Sequence, residues 1–145
     1  KGLAAPVGSV LCGSEDFIHR ARRIRKQLGG GMRQAGILAA AGMISLQKLR
    51  LRLDEDHARA RSLAEHLREV EGVTLDPGRP ATNMVYCNLD DDVPLSGEQF
   101  RDRLQGEGVL VGLTGKRRFR MVIHYWVDDR DVERVVQAFQ RALSS

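Results

Sequence analysis

The sequence predicts an α/β fold in two parts, on three observations. After residue 73 the pattern runs strand, helix, strand, strand, helix, the order of a small sheet covered by helices on one side. Before it, three segments with helical spacing follow one another from Glu15 to Glu71. Ahead of those stands one apolar run, Val7–Cys12, of strand length. One strand cannot form a sheet alone, so the first part reads as the tail of a larger sheet domain. The chain also opens without a methionine, and together these two features lead to the expectation of a piece of a longer protein.

Each element follows from its residues. Val7–Cys12 is expected as a short buried strand, with Gly13 and Ser14 as the break. Ser14 is placed to cap a helix over Glu15–Leu28, whose first turn carries Glu15 and Asp16 toward the positive end of the helix dipole. Phe17, Ile18, Ala21 and Ile24 share one side of it and arginines the other. Gly29–Gly31 stops it. Met32 to about Leu53 reads as a long second helix in which Gly36, Ala39, Ala40 and Gly42 would admit a close neighbour. Asp54–Glu71 is amphipathic, with Ala60, Leu63, Leu67 and Val70 in register. The turn-rich Asp76–Asn83 follows. Then come a strand over Asn83–Leu89, a Ser96-capped helix to Gln105, strands over Val109–Leu113 and Arg118–His124, and a last helix over Asp128–Leu143. Val132, Val135, Val136, Phe139 and Leu143 line one face of that helix. The domain division expected is residues 1–53 and 54–145.

Composition narrows function. The 145 residues are 42% hydrophobic and 29% charged, with a net charge of +4. No apolar stretch is long enough to span a bilayer, and no secretory signal pattern opens the chain. Cys12 and Cys87 are far apart and lack metal-ligand spacing; both are expected as reduced core thiols in a cytoplasmic protein. There is no zinc-ligand pattern, no Ser/His/Asp arrangement and no GxxxxGK[ST] phosphate loop. The basic run His19–Lys26 is a solvated helix face or an anion-binding surface.

Three places can carry chemistry. Lys1 opens the small-residue segment KGLAAPVGS; a lysine there is a candidate Schiff-base amine or an ordinary surface turn. Lys26 and Arg33 bracket the triple glycine. If that segment sits at a helix N-terminus, its free N–H groups and the two cations suit a phosphate; otherwise it is a glycine hinge between solvated charges. Arg120, in RFRMVIH, shares a strand face with Arg118, Val122 and His124, and its fork suits a carboxylate. An exposed sheet-face arginine reads equally well. His19, His57 and His66 read as surface residues.

Taken together, KGLAAPVGSVLCG, RRIRKQLGGGMRQAGILAAAGM, EDHARARSLAEHL, TNMVYCNL, GVLVG and RFRMVIH resemble, in this order and spacing, the C-terminal part of the low-specificity L-threonine aldolases. The resemblance implies the aspartate-aminotransferase-like fold (fold type I) of pyridoxal-phosphate enzymes, ending in a small α/β domain. It implies cleavage of L-threonine and L-allo-threonine to glycine and acetaldehyde, and a homotetramer, a dimer of dimers with shared active sites. Lys1 would be the catalytic lysine bound to pyridoxal 5'-phosphate. Lys26 and Arg33 would reach the cofactor phosphate region from a neighbouring subunit, and Arg120 would hold the substrate carboxylate. No metal, nucleic acid or membrane is implied. The aromatic pair Tyr125 and Trp126 departs from the polar or acidic pair the family carries after the strand histidine. The family's other cofactor contacts lie upstream of this stretch, so these residues alone are expected to be inactive. Two alternatives remain at this level: another fold type I lyase, such as a β-eliminating one, and a nonenzymatic nucleic-acid-binding module using Arg20–Lys26.

Overall fold

In the computed structural model, which describes residues 2–144, the hydrophobic core lies under a four-stranded antiparallel sheet. The elements in chain order are α1 (Glu15–Gln27), α2 (Gly36–Gln47), a 3-10 turn (Leu49–Arg52), α3 (Leu53–Leu67), β1 (Val73–Leu75), β2 (Met84–Leu89), α4 (Gly97–Gly106), β3 (Gly112–Leu113), β4 (Arg118–Val122) and α5 (Asp129–Ser144). The chain divides into two units, Lys1–Leu51 and Arg52–Ser145.

The second unit holds the sheet, in the order β1-β2-β4-β3. Strand alternation sends Val85, Cys87 and Leu89 of β2 and Phe119 and Met121 of β4 to one face, where they are buried. There they meet α3, α4 and α5, which present Ala60, Leu63, Leu67, Phe100, Leu104, Val132, Phe139 and Ala142. Phe100 sits between Phe119 and Phe139, edge to face with both, at centroid distances of 5.4 and 5.3 Å. Helices thus cover one side of the sheet and the other side stays open, the usual economy of antiparallel sheets.

Caps and turns set the helix ends. Ser96 and Gln99 form a reciprocal capping box at the start of α4. Asp128 and Asp131 exchange equivalent bonds, Asp131 N to Asp128 Oδ1 at 2.9 Å and Asp128 N to Asp131 Oδ2 at 3.1 Å, ahead of α5. Gly97 is buried because the Lys116 carbonyl oxygen lies 2.2 Å from where its Cβ would stand. Arg117, in the turn before β4, donates to the carbonyls of Leu89 (3.0 Å), Leu95 (2.7 Å), Val93 (3.0 Å) and Asp90, holding the loop after β2.

The first unit departs from several expectations. Val7–Cys12 forms no strand, and it is exposed, Cys12 included; no described residue offers it a ladder partner. The expected long helix starts at Gly36 rather than Met32 and ends at Gln47, where the chain tightens into the 3-10 turn. Positions Gly36 and Gly42 have nothing within 4 Å of an added Cβ, so no described backbone uses the room they leave. In the second unit Val109–Leu113 pairs only at Gly112–Leu113, His124 lies past the end of β4, and the short strand β1 was not anticipated.

Candidate active site

The open face of the sheet carries the site residues of the second unit. Tyr86 of β2 stands directly across from Arg120 of β4, and Asn88 across from Arg118. Arg118 donates from Nη2 to Asp76 Oδ2 at 2.5 Å and lies over the Tyr86 ring, 4.6 Å from its centroid. The hydrogen bond to Asp76 holds the Arg118 guanidinium above its ordinary value. Asp76 also accepts a long bond from Asn88 Nδ2 at 3.4 Å, and its own N–H donates to the Tyr86 carbonyl at 3.0 Å.

Arg120 is different. It is exposed, and no described residue gives its side chain a hydrogen bond or ion pair. On its other side stands Gly112 of β3, paired with it in register. A Cβ there would lie 3.9 Å from Arg120 Nε, so the side chain runs over ground a larger residue would occupy. A free guanidinium on a rigid strand is ready to take a carboxylate through two parallel bonds.

Beyond β4 the backbone N–H of Trp126 donates to His124 Nδ1 at 3.3 Å, and the two rings meet edge to face at 6.0 Å. In that arrangement Nδ1 is the acceptor. Tyr125 lies under Arg52, 5.0 Å from the ring centroid to Cζ, and Arg52 is held by the buried Asp56 at 2.9 and 3.4 Å. Trp126 is 73% exposed.

In the first unit, α1 forms as its sequence directs, with Ser14 accepting from Phe17 N. The triple glycine closes this helix rather than opening the next. Gly30 N donates to Arg25 O at 2.8 Å and Gly29 N to Lys26 O at 3.2 Å, with Gly29 at φ +81°, the pattern of a C-terminal cap. Of the readings left open for these glycines, the helix stop holds and the N-terminal anion cradle does not: Gly29 and Gly30 spend their N–H groups on the cap, and α2 begins only at Gly36. What remains for an anion is side-chain charge. Lys26 folds over the turn, its Nζ 3.1 Å from where a Cβ on Gly31 would lie, and neither it nor Arg33 has a carboxylate partner among the described residues. Lys1 lies outside the described residues. Lys26 and Arg33 thus flank one turn of the first unit, and Arg120 belongs to the second.

Sequence reasoning missed Asp76, Tyr86 and Gly112. Face alternation placed Arg118 beside Arg120, but the cross-strand register was needed to see which of the two is already engaged.

The second unit thus carries an arginine fork free on an open sheet face, and the first unit carries two cations beside a glycine turn. The fold is part of the aspartate-aminotransferase-like, fold type I architecture of pyridoxal-phosphate enzymes. An L-allo-threonine aldolase, so assigned, from Listeria monocytogenes EGD-E superimposes with a TM-score of 0.69 at 18% identity, over 99% of this chain and 42% of that one. The structure of C-DES K223A with glycine covalently linked to its pyridoxal-phosphate cofactor gives a TM-score of 0.61 at 19% identity, over 73% and 28%.

The family model of the beta-eliminating lyases matches residues 1–91, and the chain belongs to that family of pyridoxal-phosphate-dependent lyases. Low-specificity L-threonine aldolase 1 of Arabidopsis thaliana is 41% identical over 143 residues, 99% of this chain and 40% of that protein. The low specificity L-threonine aldolase of Escherichia coli K12 is 47% identical over 104 residues, 71% and 30%. The chain thus spans about two fifths of the length of the first of these relatives. Among the described residues no helix is long and apolar enough to cross a membrane.

Proposed function

We propose that the protein carrying this chain is a pyridoxal-phosphate-dependent aldolase that cleaves L-threonine and L-allo-threonine to glycine and acetaldehyde. The observation that carries the reading is the likeness to low-specificity L-threonine aldolases over 99% of the chain. The residues fit the cofactor and substrate in kind. Lys1 offers the amine for covalent attachment, Lys26 and Arg33 offer unpaired charge for a phosphate, and Arg120 offers a free fork for the α-carboxylate.

The cofactor, when bound, supplies the electron sink for the pair left when the Cα–Cβ bond breaks. Arg120 fixes the substrate carboxylate and thereby the rotation about Cα, which selects the bond that breaks. A base takes the β-hydroxyl proton, acetaldehyde leaves, and Cα regains a proton to give glycine. In this reading residues 1–53 are the tail of the large cofactor-binding domain and 54–145 the small C-terminal domain. The protein works as a cytoplasmic homotetramer, a dimer of dimers with shared sites.

The name of the matching family favours one rival, a β-eliminating lyase acting through the same lysine and arginine. Product analysis separates them. The protein carrying this chain, given L-threonine and L-allo-threonine, should yield glycine and acetaldehyde; predominant ammonia and 2-oxo acid would refute the aldolase. Lys1→Ala should lose both turnover and the visible cofactor band. Arg120→Lys should raise KM about tenfold or more, the loss of a charge-assisted hydrogen bond, with a smaller effect on kcat.

A further inference from the structure

Two guanidiniums stand two residues apart on one face of β4, yet only one is available. Arg118 turns toward β2 and the segment after β1, where Asp76 and the Tyr86 ring take it. Arg120 turns the other way, toward β3 and Gly112. The next carboxylate along the β1 edge, Asp90, is engaged by the Thr74 hydroxyl at 2.6 Å. Without Asp76, the face would present two free cations, and a ligand with two carboxylates would gain a second partner.

We propose that Asp76 is a specificity-determining residue: by occupying Arg118 it leaves Arg120 as the one free guanidinium of β4 among the described residues, so the site takes one carboxylate and not two. This rests on the reading that Arg120 receives the substrate carboxylate. Discrimination of this kind works by removing a contact the wrong ligand would use. Asp76 acts through Arg118 and touches no substrate itself. Its position is set by backbone, since its N–H is bonded to the Tyr86 carbonyl, and Arg118 Cζ lies over the Tyr86 ring at 4.6 Å from the centroid.

The test uses acetate and malonate as probes of one and two carboxylates. Binding to the chain is followed by NMR of the arginine Nε–H signals. Competitive inhibition of the protein that carries the chain gives a second measure. In the natural sequence both probes should move the Arg120 signal and leave Arg118 in place. In Asp76→Asn, malonate affinity should rise about three- to fivefold relative to acetate, the yield of one exposed charge pair, and the Arg118 signal should now respond. Asp76→Asn with Arg118→Gln should return the malonate-to-acetate ratio to its original value.

Arg118→Gln alone breaks the same ion pair but supplies no free cation, so its ratio should stay unchanged. A merely structural role for Asp76 would make it behave like Asp76→Asn. An unchanged ratio in Asp76→Asn, or a raised ratio that survives Arg118→Gln, overturns the proposal. Arg120→Gln tests the underlying reading separately: it should abolish the acetate response, and retained acetate binding would refute the carboxylate role of Arg120 whatever Asp76 does.

Discussion

Cys87 should make the second unit lose stability at alkaline pH. The residue is wholly buried in β2, across from Leu75 on one side and Phe119 on the other. Burial, and after it the negative charge of Asp76, push its thiol from 9.0 up to about 12. In the unfolded chain the thiol ionises near its ordinary value. Between pH 9 and 12 the folded state therefore keeps a proton that the unfolded state has shed. Stability from this group is fully present below about pH 9 and falls as pH rises, by about 1.4 kcal/mol per unit and roughly 4 kcal/mol over the whole window. At pH 10.5 the loss should be about 2 kcal/mol, or roughly 8–16 °C in Tm for a unit of this size.

Other groups titrate in the same range, so the measurement is a difference. Urea unfolding is followed by far-UV circular dichroism at pH 8 and pH 10.5, in Cys12→Ser and in Cys12→Ser with Cys87→Ala. Removing Cys12 first excludes oxidation at the exposed thiol. The variant retaining Cys87 should lose about 2 kcal/mol more than the other across the interval. Parallel loss in both would refute the reasoning, since it would mean that the thiol ionises alike in the folded and unfolded states.

Two further predictions concern packing. Gly97→Ala places a methyl 2.2 Å from the Lys116 carbonyl oxygen, so backbone must move, and a loss of about 1–3 kcal/mol is expected; an unchanged thermal midpoint would contradict the close approach. Phe100→Leu and Phe139→Leu, singly and together, form a double-mutant cycle in which the edge-to-face pair should give a coupling of about 0.5–1.5 kcal/mol. Strict additivity would mean that ring geometry contributes nothing beyond area.

Elements whose partners lie within this sequence were legible in it. Ala60, Leu63, Leu67 and Val70 are all buried, as their spacing requires, and Ser14 and Ser96 both cap the helices they precede. Val7–Cys12 failed because apolar content signals burial only when something is there to bury against, and no described residue pairs with it. β1 was overlooked because three residues are too few to show alternation. At the site, strand alternation rightly put Arg120 on the exposed sheet face, which is common to a carboxylate clamp and to an ordinary surface arginine. The triple glycine stops the first helix as its composition suggests, and the alternative that its N–H groups open the next helix depended on where that helix begins, which composition does not fix. Which strand arginine is spent was invisible for a related reason: Asp76 is 42 residues from Arg118, and only the folded register brings them together.

Arg117 carries a consequence for how the loop after β2 tolerates change. Its hydrogen-bond partners there are main-chain carbonyls, of Leu89, Asp90, Val93 and Leu95, with the exposed Asp91 carboxylate farther off, 3.9 Å from Nε. A carbonyl is the same whatever side chain stands beside it. The loop's path is thus written largely in a single arginine rather than in the residues that compose it; Asp92 can be exchanged without redrawing it, and a change at Asp91 removes only a long, exposed ion pair. The reverse holds at the clamp itself: a lysine keeps the charge but not the planar fork that reaches several oxygens at once, so tolerance across the loop depends on strictness at one position outside it.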